Sequence, residues 1–126
     1  MLAPPNSELQ TPDYYFCLCP NANLYIGNKL PDIDLLIGSG IPMVIGTDSL
    51  ASNHQLSILQ ELKTIRHYYP RVELQTLLSW ATINGARALQ LDEMLGSFEK
   101  GKRPGVVLIK GEGTLIDDWS TVERLL

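Results

Sequence analysis

The stretch 42–53, PMVIGTDSLASN, places the tightest constraint on the fold of this chain. A short apolar run, Met43 to Ile45, ends in glycine, threonine and an aspartate, and a helical pattern follows it. Short apolar runs with turn signals at both ends are typical of strands that are buried on both faces. Asp48 is therefore predicted to lie just beyond the carboxyl end of such a strand. α/β barrels and open α/β sheets carry their chemistry at that edge.

Length and charge exclude several kinds of partner. The chain has 126 residues with 44% hydrophobic and 19% charged side chains, which suits one soluble globular domain. Its net charge of −4, without a basic cluster, argues against a nucleic-acid partner. No apolar run is long enough to span a bilayer or resembles a signal peptide, so we expect no membrane partner.

The two cysteines predict the redox compartment. Cys17 and Cys19 are two residues apart on a predicted strand, so they share a face and a bridge between them would be strained. A metal role needs further ligands nearby, and the sequence offers none. Two small reduced thiols in the protein interior are the favoured interpretation, and they predict a cytoplasmic protein.

The first half of the chain predicts a strand–helix–strand unit. Residues 14–18 are aromatic and apolar and are typical of a strand, which Cys19-Pro20 is expected to end. A short helix is predicted for 31–38, and it leads into the strand before Asp48. Two strands joined by a helical crossover pair in parallel, which predicts an α/β fold.

Helices follow Asp48, and strands close the chain. Ser52 and Gln55 form a capping-box pattern that predicts a helix start, and helical spacing continues from there until Pro70. A second helical run spans 74–89, and strands are predicted at 106–110 and 121–126 with a loop between them. Three glutamates of these segments are expected to be solvated by default: Glu61, Glu73 and Glu99.

The two asparagines after the first strand allow two interpretations. Asn21 and Asn23 follow Cys19-Pro20, where asparagine side chains usually bond the local backbone of a turn. Because loops at strand ends also carry binding residues, either side chain could instead face a substrate.

Four motifs, in order along the chain, resemble one family. They are Cys-Pro-x-x-Asn at 19–23, Gly-Thr-Asp-Ser at 46–49, Ala-Thr-x-Asn-Gly-Ala at 81–86 and Gly-Ser-x-Glu-x-Gly-Lys at 96–102. This ordered set resembles the amidohydrolase superfamily, in its chlorohydrolase and nucleobase-deaminase branch. The chain departs from the family pattern at Ala22, where serine is usual, and at 104–106, where Pro-Gly-Val replaces Ala-Asp-Leu.

The resemblance implies a fold and a division of the chain. It implies the C-terminal part of a TIM-like (β/α)8 barrel, with return strands of an accessory β-sandwich. Residues 1–13 would be an irregular leading segment, 14–95 the last βα units of the barrel, and 96–126 the return to the sandwich.

The resemblance also implies a reaction, the hydrolysis of C–N bonds in a small heterocyclic amine or amide. In such enzymes a bound zinc or iron lowers the pKa of its water to about 7, which provides a hydroxide nucleophile. Asp48 would be a metal ligand and a proton shuttle, because a carboxylate beside that water can take its proton and pass it to a leaving amine. Asn21, Asn23 and Ser49 would line the mouth of the site.

The histidine count limits what this chain can do by itself. The family takes most of its metal ligands from a His-x-His pair and two later histidines, whereas this chain has only His54 and His67. Neither matches a family ligand, so we expect the chain alone to bind no catalytic metal and to be inactive. The open sheet edges of a partial barrel predict self-association or pairing with the missing N-terminal portion. The alternative is a non-catalytic α/β interaction module with a vestigial site.

Overall fold

The computed structural model describes residues 14–112 and 115–126. The expected leading segment at 1–13 lies outside the described residues. The described helices and strands run in the order β1 (Phe16–Leu18), α1 (Pro20–Gly27), α2 (Ile33–Gly38), β2 (Met43–Ile45), α3 (Ile58–Tyr68), α4 (Leu74–Ala81), α5 (Ile83–Ala88), β3 (Val107–Lys110) and β4 (Thr121–Arg124).

The first two strands pair in parallel, as the strand–helix–strand pattern predicts. Cys17 is in register with Val44, and the bond from the Gly46 amide to the Leu18 carbonyl, 2.8 Å long, carries the ladder to the carboxyl ends. Two helices, α1 and α2, make the crossover between the strands. The carboxyl ends of both strands therefore lie side by side, with Cys19 after one and Thr47-Asp48 after the other.

Helix α1 corrects the prediction of a turn after β1. Pro20 does end the strand, but it also occupies the first position of a helix, where its fixed φ is suitable and its missing N–H costs nothing. Asn21 and Asn23 are therefore helical residues. The helix ends at Asn28, which adopts the left-handed conformation with φ 50°.

The start of α3 corrects the capping-box prediction. The helix begins at Ile58, and the N-cap is Ser57, whose side chain accepts from the Gln60 amide at 3.4 Å. Ser52 lies in the preceding turn, where its hydroxyl donates to the Ser49 carbonyl at 3.3 Å. Both serines fit the sequence rule for a cap, and only the tertiary structure distinguishes them.

The helical run predicted for 74–89 is interrupted once. Thr82 has φ −129° and ψ −91°, and it separates α4 from α5. Its hydroxyl donates to the Leu78 carbonyl at 2.6 Å, and Asn84 in α5 donates to the Met43 carbonyl of β2 at 2.9 Å. The break thus lets α5 contact the second strand.

The core lies between the parallel strands and the helices that cover one of their faces. Leu18 and Met43 point to this side, where they belong to a cluster with α3, α4 and Ile33. The side chains of Ile65 and Leu77 have no exposed surface. Within the described ranges, no helix is long and apolar enough to span a membrane.

The last two strands form an antiparallel hairpin with Ile109 opposite Val122. Its connecting loop corresponds to the predicted one, except that Gly113 is outside the described residues. Ile109 and the buried Ile116 contact the core cluster, and Lys63 of α3 donates to the Asp118 carbonyl at 2.9 Å. These contacts join the hairpin to the α/β part.

Candidate active site at the strand tips

Asp48 lies three residues beyond the end of β2, at the edge where the sequence predicts chemistry. Its backbone adopts the left-handed conformation, with φ 57°, which aspartate tolerates better than most residues. One carboxylate oxygen accepts from the Ser49 amide at 2.9 Å. The residue is exposed, so its carboxylate is accessible to a ligand at the strand tip.

The segment after Asp48 is a closely hydrogen-bonded turn. The Ser49 carbonyl accepts from the Ser52 amide at 3.0 Å, and the Ser49 hydroxyl accepts from the Ala51 amide at 3.3 Å. Ser52 and Asn53 are buried, although this is a loop. Polar side chains are buried at such positions when they hold the backbone, and Asn53 does so here.

Asn53 and Glu61 form the best-buried polar contact near the tip. The Asn53 side-chain amide donates to Glu61 Oε1 at 2.7 Å and to the Thr47 carbonyl at 2.8 Å. Glu61, on α3, has no exposed surface. The expectation that this glutamate is solvated is therefore wrong, because it lies on the apolar side of its helix and is satisfied there by hydrogen bonds.

Asn21 faces α3. Its backbone amide donates to Glu61 Oε2 at 2.8 Å, and its side-chain oxygen accepts from the Thr64 hydroxyl at 2.6 Å. Its side chain is half-buried. The Glu61 carboxylate thus bonds both Asn21 and Asn53, which links Asn21 to the turn that carries Asp48.

Ser49 and Asn23 are both exposed but lie in different surroundings. Ser49 follows Asp48 directly and shares its turn. Asn23 lies on α1 and lines an open surface cleft together with Lys29, Asp32 and Tyr69. The structure therefore places Asp48 and Ser49 together, connects Asn21 to them through Glu61, and places Asn23 along a separate cleft.

The thiols of Cys17 and Cys19 both lie beside Gly46, the residue that follows β2. A Cβ added to Gly46 would approach Cys17 Sγ at 2.9 Å and Cys19 Sγ at 3.2 Å, so only glycine fits between them and the strand. Burial, and secondarily the neighbouring Cys17, raise the pKa of the Cys19 thiol to about 11. The prediction of two interior thiols is wrong for Cys17, which is exposed, and Cys19 is only half-buried.

The described residues do not supply a complete metal site. No group of three or more histidine, cysteine, aspartate or glutamate side chains there could hold a metal ion. His54 lies in the exposed turn against the Tyr25 ring, with centroids 5.3 Å apart, and not in a helix as predicted; His67 is exposed on α3. A catalytic zinc normally takes about three protein ligands. Asp48 suits one of these ligand positions. The described residues do not supply the other ligands.

A second cleft, smaller than the one of about 680 Å³ beside Asn23, lies away from these residues. It has a volume of about 440 Å³ and lies between α4, α5 and the turn at 96–102, with Arg87, Glu99 and Lys102 in its lining. None of the predicted site residues lines it. The strand tips are open rather than enclosed, because the parallel sheet has two strands.

Sequence reasoning missed Glu61 and Asn53, although a signal for Glu61 was present. Glu61 lies three residues after Ile58 and four before Ile65, which places it in the apolar stripe of α3. A carboxylate at such a position must have buried partners, and the polar turn before the helix was available to provide them.

The chain is similar to several known proteins. The chain is 30% identical to an adenosine deaminase from Xanthomonas campestris whose crystal structure holds bound zinc, with a TM-score of 0.67 over 75% of this chain and 23% of that one. It is similar to 5-methylthioadenosine/S-adenosylhomocysteine deaminases. The identity is 33% for the protein of Caldicellulosiruptor saccharolyticus, over 85% of this chain and 27% of the relative. For the protein of Moorella thermoacetica it is 32%, over 72% and 23%.

These likenesses define the class of the chain as an α/β fold of the TIM-barrel hydrolase type. The sequence profile of the amidohydrolase family matches residues 6–124, and the chain belongs to that family. It spans about a quarter of the length of the relatives it matches.

Proposed function

We propose that this chain is the closing segment of a metal-dependent amidohydrolase that hydrolyses a C–N bond, in the manner of a deaminase. Residues 14–95 supply the last βα units of a TIM-like barrel, and 96–126 return towards an accessory β-sandwich. The observation that carries the proposal is Asp48, an accessible carboxylate just beyond a parallel strand in a chain of this family.

Asp48 is the residue that acts on the reacting atoms. Its position at the strand tip lets the carboxylate contact a metal held mainly by ligands outside this chain. When bound, zinc or iron supplies an acidified water near neutral pH. Asp48 would hold one position on such a metal, and its carboxylate could take a proton as base and give it to a leaving amine as acid.

The residues around Asp48 bind the substrate. Ser49 shares the exposed turn and can donate a hydrogen bond to a heterocyclic amine or amide at the mouth. Asn21 adjoins this turn through Glu61, whereas Asn23 lies along a separate cleft and is left out of the proposed site. The described residues offer one metal ligand, so activity requires the remaining barrel, supplied by a preceding segment or a second chain. We place this assembly in the cytoplasm.

A chimera tests the proposal. The matched C-terminal quarter of the Caldicellulosiruptor saccharolyticus relative is replaced by this chain, and ammonia release is measured from adenosine-like and other heterocyclic amines. We expect turnover from the chimera and none from the relative with its C-terminal quarter deleted.

Asp48→Asn is the matched variant, because asparagine keeps the size of the side chain and an acceptor for the Ser49 amide. We expect kcat to fall by about 10²- to 10⁴-fold, since amide nitrogen and oxygen cannot carry the proton. A folded chimera that binds zinc but releases no ammonia would contradict the proposal and favour the non-catalytic interaction module.

A further inference from the structure

Glu61 is a buried carboxylate that the proposed reaction does not use. It is 0% exposed, and its two oxygens accept from the Asn21 backbone amide at 2.8 Å and the Asn53 side chain at 2.7 Å. Burying a carboxylate is unfavourable unless such bonds replace water. Its two partners follow different strands, Asn21 after β1 and Asn53 after β2, so the carboxylate joins the two strand ends.

The first contact satisfies the N-terminus of α1. The N-cap residue, Cys19, makes no side-chain capping bond, and the first helical residue is Pro20, which has no N–H. The Asn21 amide is therefore the first free donor of the helix, and Glu61 accepts from it. Negative charge is favourable at this end of a helix. A side chain from α3 thus replaces the missing local cap.

The second contact reaches the turn that carries Asp48. The Asn53 amide group uses one N–H for Glu61 and the other for the Thr47 carbonyl, at 2.8 Å. That carbonyl belongs to the peptide that enters Asp48, whose φ is 57°. Because Glu61 occupies one N–H of Asn53, the orientation of the amide is fixed and the other N–H must point at Thr47.

We propose that Glu61 and Asn53 are positioning residues for Asp48. They hold the backbone before Asp48 in the conformation that turns its carboxylate to the strand tip, while neither contacts the substrate. The inference deepens the proposed function and rests on it, since positioning matters only if Asp48 takes part in the reaction.

A charge-conserving swap, Asn53→Asp together with Glu61→Gln, isolates the contact with Thr47. In the swap, the amide introduced at position 61 donates to the carboxylate introduced at position 53, and its oxygen still accepts from the Asn21 amide, so the link between the strand ends persists. The new carboxylate has no hydrogen to donate, so the bond to the Thr47 carbonyl is lost. The control is Arg66→Met at the other end of α3, which removes bonds of 3.1 and 3.0 Å to the Pro70 and Val72 carbonyls.

Backbone chemical shifts of Asp48 in the chain itself report on the geometry without any need for activity. We expect the swap to move these shifts away from the left-handed values, while Arg66→Met lowers thermal stability and leaves them unchanged. A folded swap variant with the wild-type shifts of Asp48 would overturn the proposal, whether or not the chain belongs to an active enzyme.

Steady-state kinetics in the chimera give the second measurement. We expect the swap to lower kcat by about 10- to 100-fold, as is usual when the support of a metal ligand is removed, with KM nearly unchanged. Arg66→Met should leave both constants as they are. Shifted resonances with an unaltered kcat would show that the contact shapes the loop but does not position a reacting group, which also overturns the proposal. A chimera without any activity would contradict the proposed function, and the chemical shifts would still decide the geometry.

Discussion

The two strand pairs of this chain have opposite surroundings. In the parallel pair, Met43 and Val44 are buried, and helices of the same chain cover one face. In the antiparallel hairpin, every residue of β4 is exposed, including Val122, and β3 exposes Val107 and Leu108. Both pairs form a regular ladder, so side-chain burial is what distinguishes them. Side chains of the parallel pair are buried by helices of the same chain, whereas the hairpin leaves Val107, Leu108 and Val122 exposed.

The largest expected effect comes from the core behind the parallel pair. Leu77→Ala removes a side chain with no exposed surface and should reduce the free energy of unfolding by about 3 kcal/mol, since the cavity cannot fully collapse. Val122→Ala on the hairpin, where the side chain is 51% exposed, should reduce it by less than about 1 kcal/mol. Urea unfolding of both variants measures the difference. Equal losses would mean that the hairpin is as well packed as the core and would break the comparison.

The next largest effect on stability is expected in the turn at 96–102, which joins the two regions. Gly96 and Gly101 both adopt positive φ, +87° and +96°, but a Cβ at Gly96 would lie 2.7 Å from Ala86 Cβ and 2.9 Å from Ile83 Cα, while nothing lies within 4 Å at Gly101. Gly101→Ala should cost about 1 kcal/mol from the backbone alone. Gly96→Ala should cost at least about 2 kcal/mol, because the steric clash with α5 adds to it.

Thermal and urea unfolding of the two glycine variants would test this order. If Gly101→Ala proves the more destabilising, then the packing of the turn against α5 is not what fixes the junction. The comparison sharpens the role of the Gly-Ser-x-Glu-x-Gly-Lys motif, whose first glycine is required by both space and backbone conformation and whose second is required by backbone conformation alone.

Short sequence patterns predicted correctly those strands and helices whose formation depends on residues adjacent in the sequence. The parallel pair, the position of Asp48 and the two closing strands all follow from short apolar runs and their turn signals. The predictions were wrong where one residue suits two structural roles, or where two residues suit the same role. Pro20 stops β1 and also starts α1, and Ser52 and Ser57 are both acceptable helix caps.

The support of the site could not be predicted by such rules. Glu61 accepts a hydrogen bond from the backbone amide of Asn21, 40 residues earlier in the chain. The sequence indicates this long-range pairing only by a charged residue among the apolar positions of a helix. The position of Asp48 follows from the strand that precedes it, whereas its backbone conformation depends on Asn53 and on that distant carboxylate.

The pKa values of two side chains are shifted in opposite directions, that of Cys19 at the tip of the parallel strands and that of Asp117 in the hairpin loop. At the tip, burial raises the pKa of the Cys19 thiol to about 11, so little thiolate is present near pH 8.5. Iodoacetamide should therefore modify Cys19 about 100-fold more slowly than an ordinary thiol at that pH. A Cys17→Ser variant leaves one thiol to follow by mass spectrometry and should keep most of the shift, since burial is its largest cause. A modification rate that levels off by pH 9 would contradict the assignment.

The smallest effect is expected in the hairpin loop, where a carboxylate is stabilised instead. The Ser120 hydroxyl donates to Asp117 Oδ1 at 2.9 Å and is the largest cause that holds the pKa of Asp117 below its usual value of 3.8. A lowered pKa in the folded chain favours the folded state above the usual pKa, and this contribution disappears as the pH falls through the lower value. Ser120→Ala should raise the pKa of Asp117 towards its usual range, which a carboxyl-carbon NMR titration measures.

Ser97→Ala is the matched control for Asp117. The Ser97 hydroxyl bonds Glu99 at 2.8 Å, and the pKa of Glu99 is lowered first by Lys102 and then by Ser97. This variant should raise the pKa of Glu99 slightly and leave Asp117 unaltered. If Ser120→Ala left the titration of Asp117 unchanged, the remaining backbone donors in the loop would have to account for its low pKa. The Trp119 amide, which donates to Asp117 Oδ1 at 3.0 Å, is one such donor.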